Sequence, residues 1–355
     1  MASTIDFSSL TLNNEEARST SEVVFEKTFS RQELAQVHGI QTGVEMDKYI
    51  PIFGQYGLVG KVDPGSCNNN TSTDQIPTSE LTWTPKMISF KMAHCQDDIP
   101  AKLKFWKKSR IAANTWEEVD NEMMAYITDT LTDAVIQSQL RIVEFGDTAA
   151  ETVTLGGHLT AGTDKTFFNM LDGVWKQVFT DQAGSAEIYR YTIDENSLAD
   201  KTAQTTLASD RALQVLRNMY NNIDPRAFDG NNLTIQLTRS LWNNWNDFLE
   251  DKSLVFQLDR AEKGSTNMSY RGIPIIVRND WDRMIRTYHD EGTTYYIPHR
   301  AMLVDINNIP IGTSDEESLT TVKSWYSQDD EKHYMKVAYK IDVKILLKYA
   351  MAVAY

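Results

Sequence analysis

The chain has 355 residues with 49 acidic and 35 basic side chains, so its net charge is −14. This balance argues against a free-standing nucleic-acid-binding protein, because such proteins present a basic surface. Apolar residues make up 41% of the chain and charged residues 24%, which excludes a disordered chain and allows one large domain or two smaller ones.

The N-terminus is predicted to form an extended arm. Residues 1–30 are polar, with isolated apolar side chains such as Phe7, Leu10 and Phe25. Such a segment lacks the apolar surface to fold alone, so we expect it to become ordered only against another surface.

A long hairpin is predicted after the arm. A β-prone run at 49–53 and the alternating residues Ile88, Phe90 and Met92 indicate two strands. The stretch between them, 62–80, is dense in turn-forming residues, which predicts a wide polar tip. Because an isolated two-stranded ribbon is marginally stable in water, we expect the hairpin to lie across another surface.

Three helices are predicted in the middle of the chain. The strongest, 115–145, begins with the capping box T-W-E-E and carries one apolar stripe; at about 1.5 Å per residue it would be a spine on the order of 45 Å long. A second helix is predicted from Asp164 to Phe179 with Phe167 on its buried face. A third is predicted over 209–222, with Ser209 as its N-cap.

Most of the elements predicted in the remainder of the chain are strands. Strands are expected at 233–237, 272–277 and 301–304, with an amphipathic helix at 240–251. The alternating C-terminal run 333–354 is expected to supply one or two central strands. The order of these elements indicates the α+β class.

The glycine-rich stretch GQYGLVGKVDPGSC (54–67) resembles a phosphate-binding loop only superficially. A P-loop requires Ser or Thr after its lysine, but Val62 follows Lys61, and a dinucleotide fingerprint requires glycines in a different spacing before a helix. We therefore interpret these glycines as positions where a curved ribbon can bend.

No motif for catalysis, metal or cofactor binding is found. The six histidines form no metal-ligand pattern, and His289-Asp290-Glu291 is expected to be a surface loop. Neither Cys67 nor Cys95 has a nucleophile or zinc spacing, and no G-x-S-x-G motif occurs. With no signal peptide and no apolar run near the ~18 residues that span a bilayer, we expect a cytosolic site of synthesis and no membrane partner.

One basic cluster stands out in this acidic chain. Lys102, Lys104, Lys107, Lys108 and Arg110 surround two aromatic residues. They could contact phosphates, or they could pair with acidic residues of a neighbouring chain in the region 117–122. The net charge of −14 favours the second interpretation.

Several segments of the sequence resemble the major capsid proteins of tailed bacteriophages. The similarity covers most of the chain from about residue 40 and is carried by WTPKMISFKMAHCQDD, RIVEFGDTAA, FFNMLDGVWKQVF, LTIQLTRSLWNNWNDFL, YRGIPIIV and AMLVDINNIPIGT, in that order. This fold is shared with encapsulins and with the floor of the herpesvirus shell.

The resemblance implies a division of the chain into named parts. These are an N-terminal arm 1–43, an extended hairpin loop 44–98, a peripheral domain 99–199 plus 319–355 with the spine helix 115–145, and an axial domain 200–318. Inter-subunit contacts are then expected at Phe25, Tyr56, Lys61, Trp83, Phe90, Lys104, Lys107, Lys108, Glu117 and Glu118.

The resemblance further implies that copies of the chain assemble into hexamers and pentamers of an icosahedral shell around double-stranded DNA. Portal, scaffolding and decoration proteins are the implied partners, and the virion is the implied location, after assembly in the host cytoplasm. No motif matches the partner residues of a covalent cross-link through Lys61, so none is predicted. Two alternatives stay open: an encapsulin-type compartment with an enzyme cargo, and a hydrolase using paired carboxylates.

Overall fold

The computed structural model describes residues 36–53, 78–95, 119–229, 232–252, 269–313, 323–327, 329 and 332–355. Most of the predicted arm, the hairpin tip and the basic cluster lie outside these residues. Within them, helices and strands are mixed along the chain, which confirms the α+β class.

The described elements are short strands interspersed with helices, and one helix is much longer than the rest. The strands are β1 Ile40–Gln41, β2 Tyr49–Phe53, β3 Thr78–Thr82, β4 Lys86–Cys95, β5 Tyr189–Tyr191, β6 Leu233–Leu237, β7 Ser269–Tyr270, β8 Ile273–Val277, β9 Ala301–Asp305, β10 Ile311–Gly312, β11 Lys323–Ser327, β12 Lys332–Val343 and β13 Met351–Ala354. The helices are α1 Val119–Phe145, α2 Val174–Ala183, α3 Lys201–Thr205, α4 Arg211–Asn222, α5 Arg239–Asp251 and α6 Asn279–Tyr288.

Two sheets organise the fold. The first has the order β1-β10-β12-β11, and β4 runs along most of β12 in antiparallel register. The second has the order β5-β13-β9-β6-β8-β7. The predicted C-terminal strands are confirmed, but β12 and β13 lie in different sheets, so the last strand joins the sheet of the predicted axial region.

The predicted hairpin partner is wrong. The strand β2 pairs with β3, in antiparallel register from Tyr49 with Thr82 to Phe53 with Thr78. The alternating run of β4 instead pairs with β12, where Ile88 lies opposite Tyr339. The sequence analysis took the strand with the stronger period-2 pattern, β4, as the partner of β2. That pattern instead reflects burial of one face of β4 against the spine helix.

The six-stranded sheet lies between two apolar cores. Along β13, Met351 and Val353 pack into a core with α1, α2, β4 and β12, whereas the alternate residues Ala352 and Ala354 pack into a core with α4, α5 and β8. The strand β6 is consequently buried at all five positions. Its alternating Thr and Gln residues are therefore buried as well as its Leu and Ile residues.

The spine helix ends where the sequence predicted. Helix α1 ends at Phe145, and Gly146 follows in a position where an added Cβ would lie 2.4 Å from the Leu171 carbonyl oxygen. The predicted capping box at 115–118 lies outside the described residues. On β12, the Tyr339 hydroxyl donates to Ser138 Oγ at 2.9 Å, which ties the returning C-terminal segment to this helix.

The second predicted helix is wrong in its first half. Asp164 caps only a single 3-10 turn, Lys165–Phe167, and helix α2 begins after Gly173. Phe167, expected on the buried face, is 52% exposed.

Two of the remaining helices agree with the sequence except at one cap, whereas α3 and α6 were not predicted, and α6 includes residues that the sequence analysis assigned to a loop. Helices α4 and α5 confirm the two amphipathic predictions, with Leu241, Trp245 and Leu249 buried. The N-cap of α4 is Asp210 rather than Ser209, and the Asp210 side chain accepts a hydrogen bond from Gln214 instead of capping the backbone.

Candidate assembly surfaces and the anchor of the N-terminal segment

The N-terminal segment 36–44 is joined to the body of the protein through backbone hydrogen bonds. Strand β1 runs parallel to β10, with Ile40 opposite Ile311. The Gly39 amide donates to the Ile306 carbonyl at 2.7 Å, and the Ile311 amide donates back to the Gly39 carbonyl at 2.7 Å. Because these bonds fix the backbone directly, the point where the predicted arm leaves the body is set by main-chain pairing.

A buried cluster of charged and polar side chains, here called the junction, surrounds this segment. Glu144 near the end of the spine helix accepts from His38 Nε2 at 3.0 Å and forms an ion pair with Arg278 Nη2 at 2.6 Å. Arg278 also makes two bonds to Asp280, at 2.9 and 2.7 Å, and donates to Gln236. The Gln236 amide in turn donates to the Val37 carbonyl at 3.0 Å.

The junction holds its charges in ionised form. Burial by itself would raise the pKa of Glu144, but the Arg278 charge and the His38 hydrogen bond outweigh burial and lower that pKa to about 2. Burial would likewise lower the pKa of Arg278, and the carboxylates of Asp280 and Glu144 raise it instead. His38 Nδ1 also lies 3.1 Å from the Ile309 carbonyl oxygen, so both ring nitrogens face a hydrogen-bond partner.

The base of the hairpin is seated on the first sheet through Trp83. The Trp83 ring is 1% exposed and lies against Gly312, where an added Cβ would come within 2.6 Å of the ring. One residue on, the Thr84 amide donates to Asp342 Oδ2 at 2.7 Å. Glycine at 312 therefore gives the indole its space, and the hairpin leaves the body from a fixed position.

Comparisons with known proteins give a match at the level of structure only. No protein-family model matches the chain, and no curated protein matches it either. Among solved structures, a chain of the satellite phage P4 procapsid, which includes the size determination (Sid) protein, superposes with a TM-score of 0.54 at 11% identity. The alignment covers 94% of this chain and 98% of that one.

The fold is that of a phage procapsid protein. Two further structures are similar over comparable lengths. The structure of Gordonia phage Cozz has a TM-score of 0.48 at 12% identity, and the alignment covers 90% of this chain and 85% of that one. A virus-like particle from Pyrococcus furiosus has a TM-score of 0.45 at 9% identity, with 96% of this chain and 98% of that one covered. The resemblance stated from the sequence to phage capsid proteins is thus confirmed for the fold.

Of the predicted contact residues, two lie within the described residues of this procapsid fold. Trp83 is covered by its own chain, and Phe90 is partly buried against the core of the spine helix. An inter-subunit contact for either residue stays a prediction. The others lie outside the described residues: Phe25, Tyr56, Lys61, Lys104, Lys107, Lys108, Glu117 and Glu118.

The structure shows exposed apolar side chains that the sequence analysis did not select. Met46 and Tyr49 at the base of the hairpin are 64% and 63% exposed, and Met87 on β4 is 60% exposed. Leu155 and Phe167 project from two 3-10 turns whose loops are tied by an ion pair of 2.6 Å between Lys165 and Glu151. A signal was present for Met87, because it falls on the outer face of an alternating strand.

The grouping His289-Asp290-Glu291 is not a single surface loop. His289 is only 8% exposed, so the surface prediction is wrong for this residue. Asp290 pairs with Lys201 at 2.7 Å, and Glu291 accepts from His158 Nδ1 at 2.7 Å. In the described part of the chain, no group of three or more His, Cys, Asp and Glu side chains is arranged to hold a metal ion. None of the helices described there has the length and apolar character to cross a membrane.

Proposed function

We propose that this chain is the major capsid protein of a tailed bacteriophage, a structural protein without enzymatic activity. Its copies form hexamers and pentamers of an icosahedral shell that encloses double-stranded DNA. The observation that carries this proposal is the match to a procapsid chain over 94% of this chain and 98% of that one.

The attachment of the two extended segments supports assembly. Both the N-terminal segment and the β2–β3 hairpin are fixed at their bases, by β1–β10 pairing and by the Trp83 seat. Two-stranded ribbons are only marginally stable by themselves in water. A ribbon whose base is fixed on its own subunit is therefore stabilised most when the rest of it lies on a second subunit. Obligate assemblies commonly bury about 2,000 Å² or more between partners, which such segments can supply.

The exposed apolar side chains at the hairpin base fit the same function. Met46 and Tyr49 lie where a neighbouring subunit under the ribbon would cover them. Portal, scaffolding and decoration proteins are the proposed further partners, and the net charge of −14 suits a wall that packed DNA touches without binding. The proposed location is the capsid of the virion, after assembly in the host cytoplasm.

Electron microscopy of the purified full chain, alone and with the scaffolding protein of the same phage, tests this function. We expect closed shells built from rings of six and five subunits. A variant lacking residues 63–77 should keep the unfolding midpoint of the subunit, because β2 and β3 are retained, and should lose shell assembly. In phage-infected cells the shells should contain nuclease-protected DNA rather than a protein cargo.

The matched control replaces the same residues with a glycine-serine linker of equal length. This control keeps the length of the loop and removes its side chains. It therefore shows whether assembly depends on the length of the loop or on the contacts of its side chains. A chain that stays monomeric at every concentration, with and without scaffolding protein, would contradict the proposal. Shells filled with an enzyme instead of DNA would assign the chain to the encapsulin-type compartments.

A further inference from the structure

A cavity of about 370 Å³ lies between the end of the spine helix, helix α2 and the segment 289–300. Its volume is within the range of small-molecule sites in proteins. Six of its lining residues carry flat rings: Phe145, Trp175, Phe179, Tyr296, His158 and His289. At the wall, His158 stacks on Tyr296 with ring centroids 3.6 Å apart. Because these two rings already cover each other's facing sides, a flat, apolar ligand body would pack against the outer faces and edges of the lining rings.

The cavity contains a buried cation without a carboxylate partner. Arg300 lines the cavity and is 1% exposed, and its guanidinium lies 5.0 to 5.8 Å from the centroids of four surrounding rings. Its Nε and Nη2 donate only to the backbone carbonyls of Ile297 and Tyr296. Burial lowers the pKa of Arg300 to about 10, because no adjacent carboxylate compensates the loss of water.

The acidic side chains of the cavity wall are already paired. Asp147 forms an ion pair with Lys176 at 2.8 Å, and Glu151 with Lys165 at 2.6 Å. Glu144, whose field reaches Arg300, makes its own ion pair with Arg278. Arg300 therefore has no ion-pair partner, and the ring faces and the field of Glu144 offset only part of the cost of burying its charge.

A second group in the cavity, the His289 ring, lacks a hydrogen bond of ordinary geometry, although a backbone group of His158 lies close enough to oppose the lowering of its pKa. His289 lines the cavity, and neither its Nδ1 nor its Nε2 is hydrogen-bonded. Burial and the neighbouring Arg300 lower the pKa of His289 to about 3, so the ring is neutral and offers one N–H. Unpaired buried nitrogens are costly and rare in folded proteins, and here one sits beside an uncompensated guanidinium.

We propose that this cavity binds a small aromatic carboxylate, with its ring between the aromatic walls and its carboxylate between Arg300 and His289. The ligand would supply the negative charge that Arg300 lacks and an acceptor for the His289 N–H. The proposal does not rest on shell assembly, because all the residues that form the cavity belong to one chain. It concerns a binding site and includes no chemical step.

Calorimetric titration of the full chain with benzoate tests the site, with the neutral isostere benzamide and inorganic phosphate as comparison ligands. We expect one benzoate per chain and roughly ten- to a hundred-fold weaker binding of benzamide, because benzamide lacks the charge. Phosphate should bind more weakly than benzoate, since it lacks the apolar ring. Equal affinity for benzoate and benzamide would overturn the proposal, and so would phosphate binding as tightly as benzoate.

Three variants locate the binding. Ala149 is exposed and lines the cavity, so Ala149→Trp should fill the opening and weaken benzoate binding at least about ten-fold, whereas Ala93→Trp on the exposed face of β4 should leave it unchanged. His289→Phe keeps a ring and removes both nitrogens, and should weaken benzoate more than benzamide. Arg300→Met should abolish the preference for benzoate. If Arg300→Met does not fold, the comparison of Ala149→Trp with Ala93→Trp still tests where benzoate binds. Benzoate binding unchanged by Ala149→Trp would exclude this cavity.

Discussion

Two buried arginines in the described part of the chain illustrate opposite ways to hold a cation. At the junction, Arg278 contacts Glu144, Asp280 and Gln236, and its pKa is raised. In the cavity, Arg300 is surrounded by rings and carbonyls, and its pKa is lowered to about 10. The junction pairs its cation with carboxylates and joins segments far apart in sequence, whereas the cavity leaves a cation without a carboxylate partner, which a ligand can supply.

Removing the Arg278 side chain is expected to cause the largest fall in the free energy of unfolding. Arg278→Met leaves Glu144 and Asp280 without their main partner in a buried position, so the free energy of unfolding should fall by about 3–5 kcal/mol. Arg226→Met is the matched control, because Arg226 pairs with Asp224 at the surface and should cost less than about 1 kcal/mol. Urea unfolding of both variants measures the difference, and equal costs would break the contrast between a buried network and an exposed pair.

The pH dependence of stability sharpens the same contrast. The pKa of Glu144 is about 2 in the folded protein and about 4.5 in the unfolded chain, so the unfolded state binds more protons between these values. The contribution of Glu144 to stability is complete above about pH 4.5 and is lost as the pH falls towards 2, on the order of 3 kcal/mol in total. Glu144→Gln should flatten this part of the stability curve, and an unchanged slope would show that the junction does not ionise as described.

The close packing next to the junction should contribute to the stability of the protein independently of charge. Gly312 pairs with Gln41 in β1, and an alanine there would place its Cβ against the Trp83 ring. Gly312→Ala should therefore cost about 1–3 kcal/mol. At Gly184 the nearest atom to an added Cβ is 3.5 Å away, so Gly184→Ala should be nearly neutral. Thermal unfolding of the two variants compares them, and a neutral Gly312→Ala would mean that the Trp83 seat is loose.

The smallest effect is expected for Arg300. Arg300→Met leaves no carboxylate unpaired and frees only the carbonyls of Ile297 and Tyr296, so the cost in unfolding free energy should be about 1–2 kcal/mol. This value should lie clearly below that for Arg278→Met in the same urea titration. A cost as large as that of Arg278→Met would show that Arg300 is a structural cation, compensated within the fold.

Local pattern predicted the elements better than their partners. The capped and periodic residues of the spine helix predicted α1 to its last residue, Phe145, because the apolar stripe and the following glycine are local signals. The hairpin partner of β2 was predicted wrongly, because β3, with the sequence TSELT, has little apolar character and is recognisable only by its pairing. The helix predicted from Asp164 fails in its first half because a distant contact interrupts it: Asp172 accepts a hydrogen bond from the Thr148 amide, and α2 begins only after Gly173.

The candidate sites were less accessible to sequence reasoning. Several segments that resemble phage capsid proteins predicted the fold, and contact residues were chosen on the arm, hairpin and basic cluster. The junction and the cavity were missed, because their members come from separated parts of the chain, such as His38, Glu144 and Arg278. His289 was assigned to a surface loop because the stretch around it, DRMIRTYHDEGTT, looks like a loop, a local feature that says nothing about burial.

The sequence by itself determined the α+β class, the spine helix, the amphipathic helices and the likeness to phage capsid proteins, since all of these depend on residue order within short windows. Only the tertiary structure decided that β6 is buried on both faces, that β4 pairs with β12, and that Arg278 is paired while Arg300 is not. The physical reason is that burial and charge pairing depend on which distant segments meet. Two arginines that look alike in the sequence therefore differ in their partners and in what they can bind.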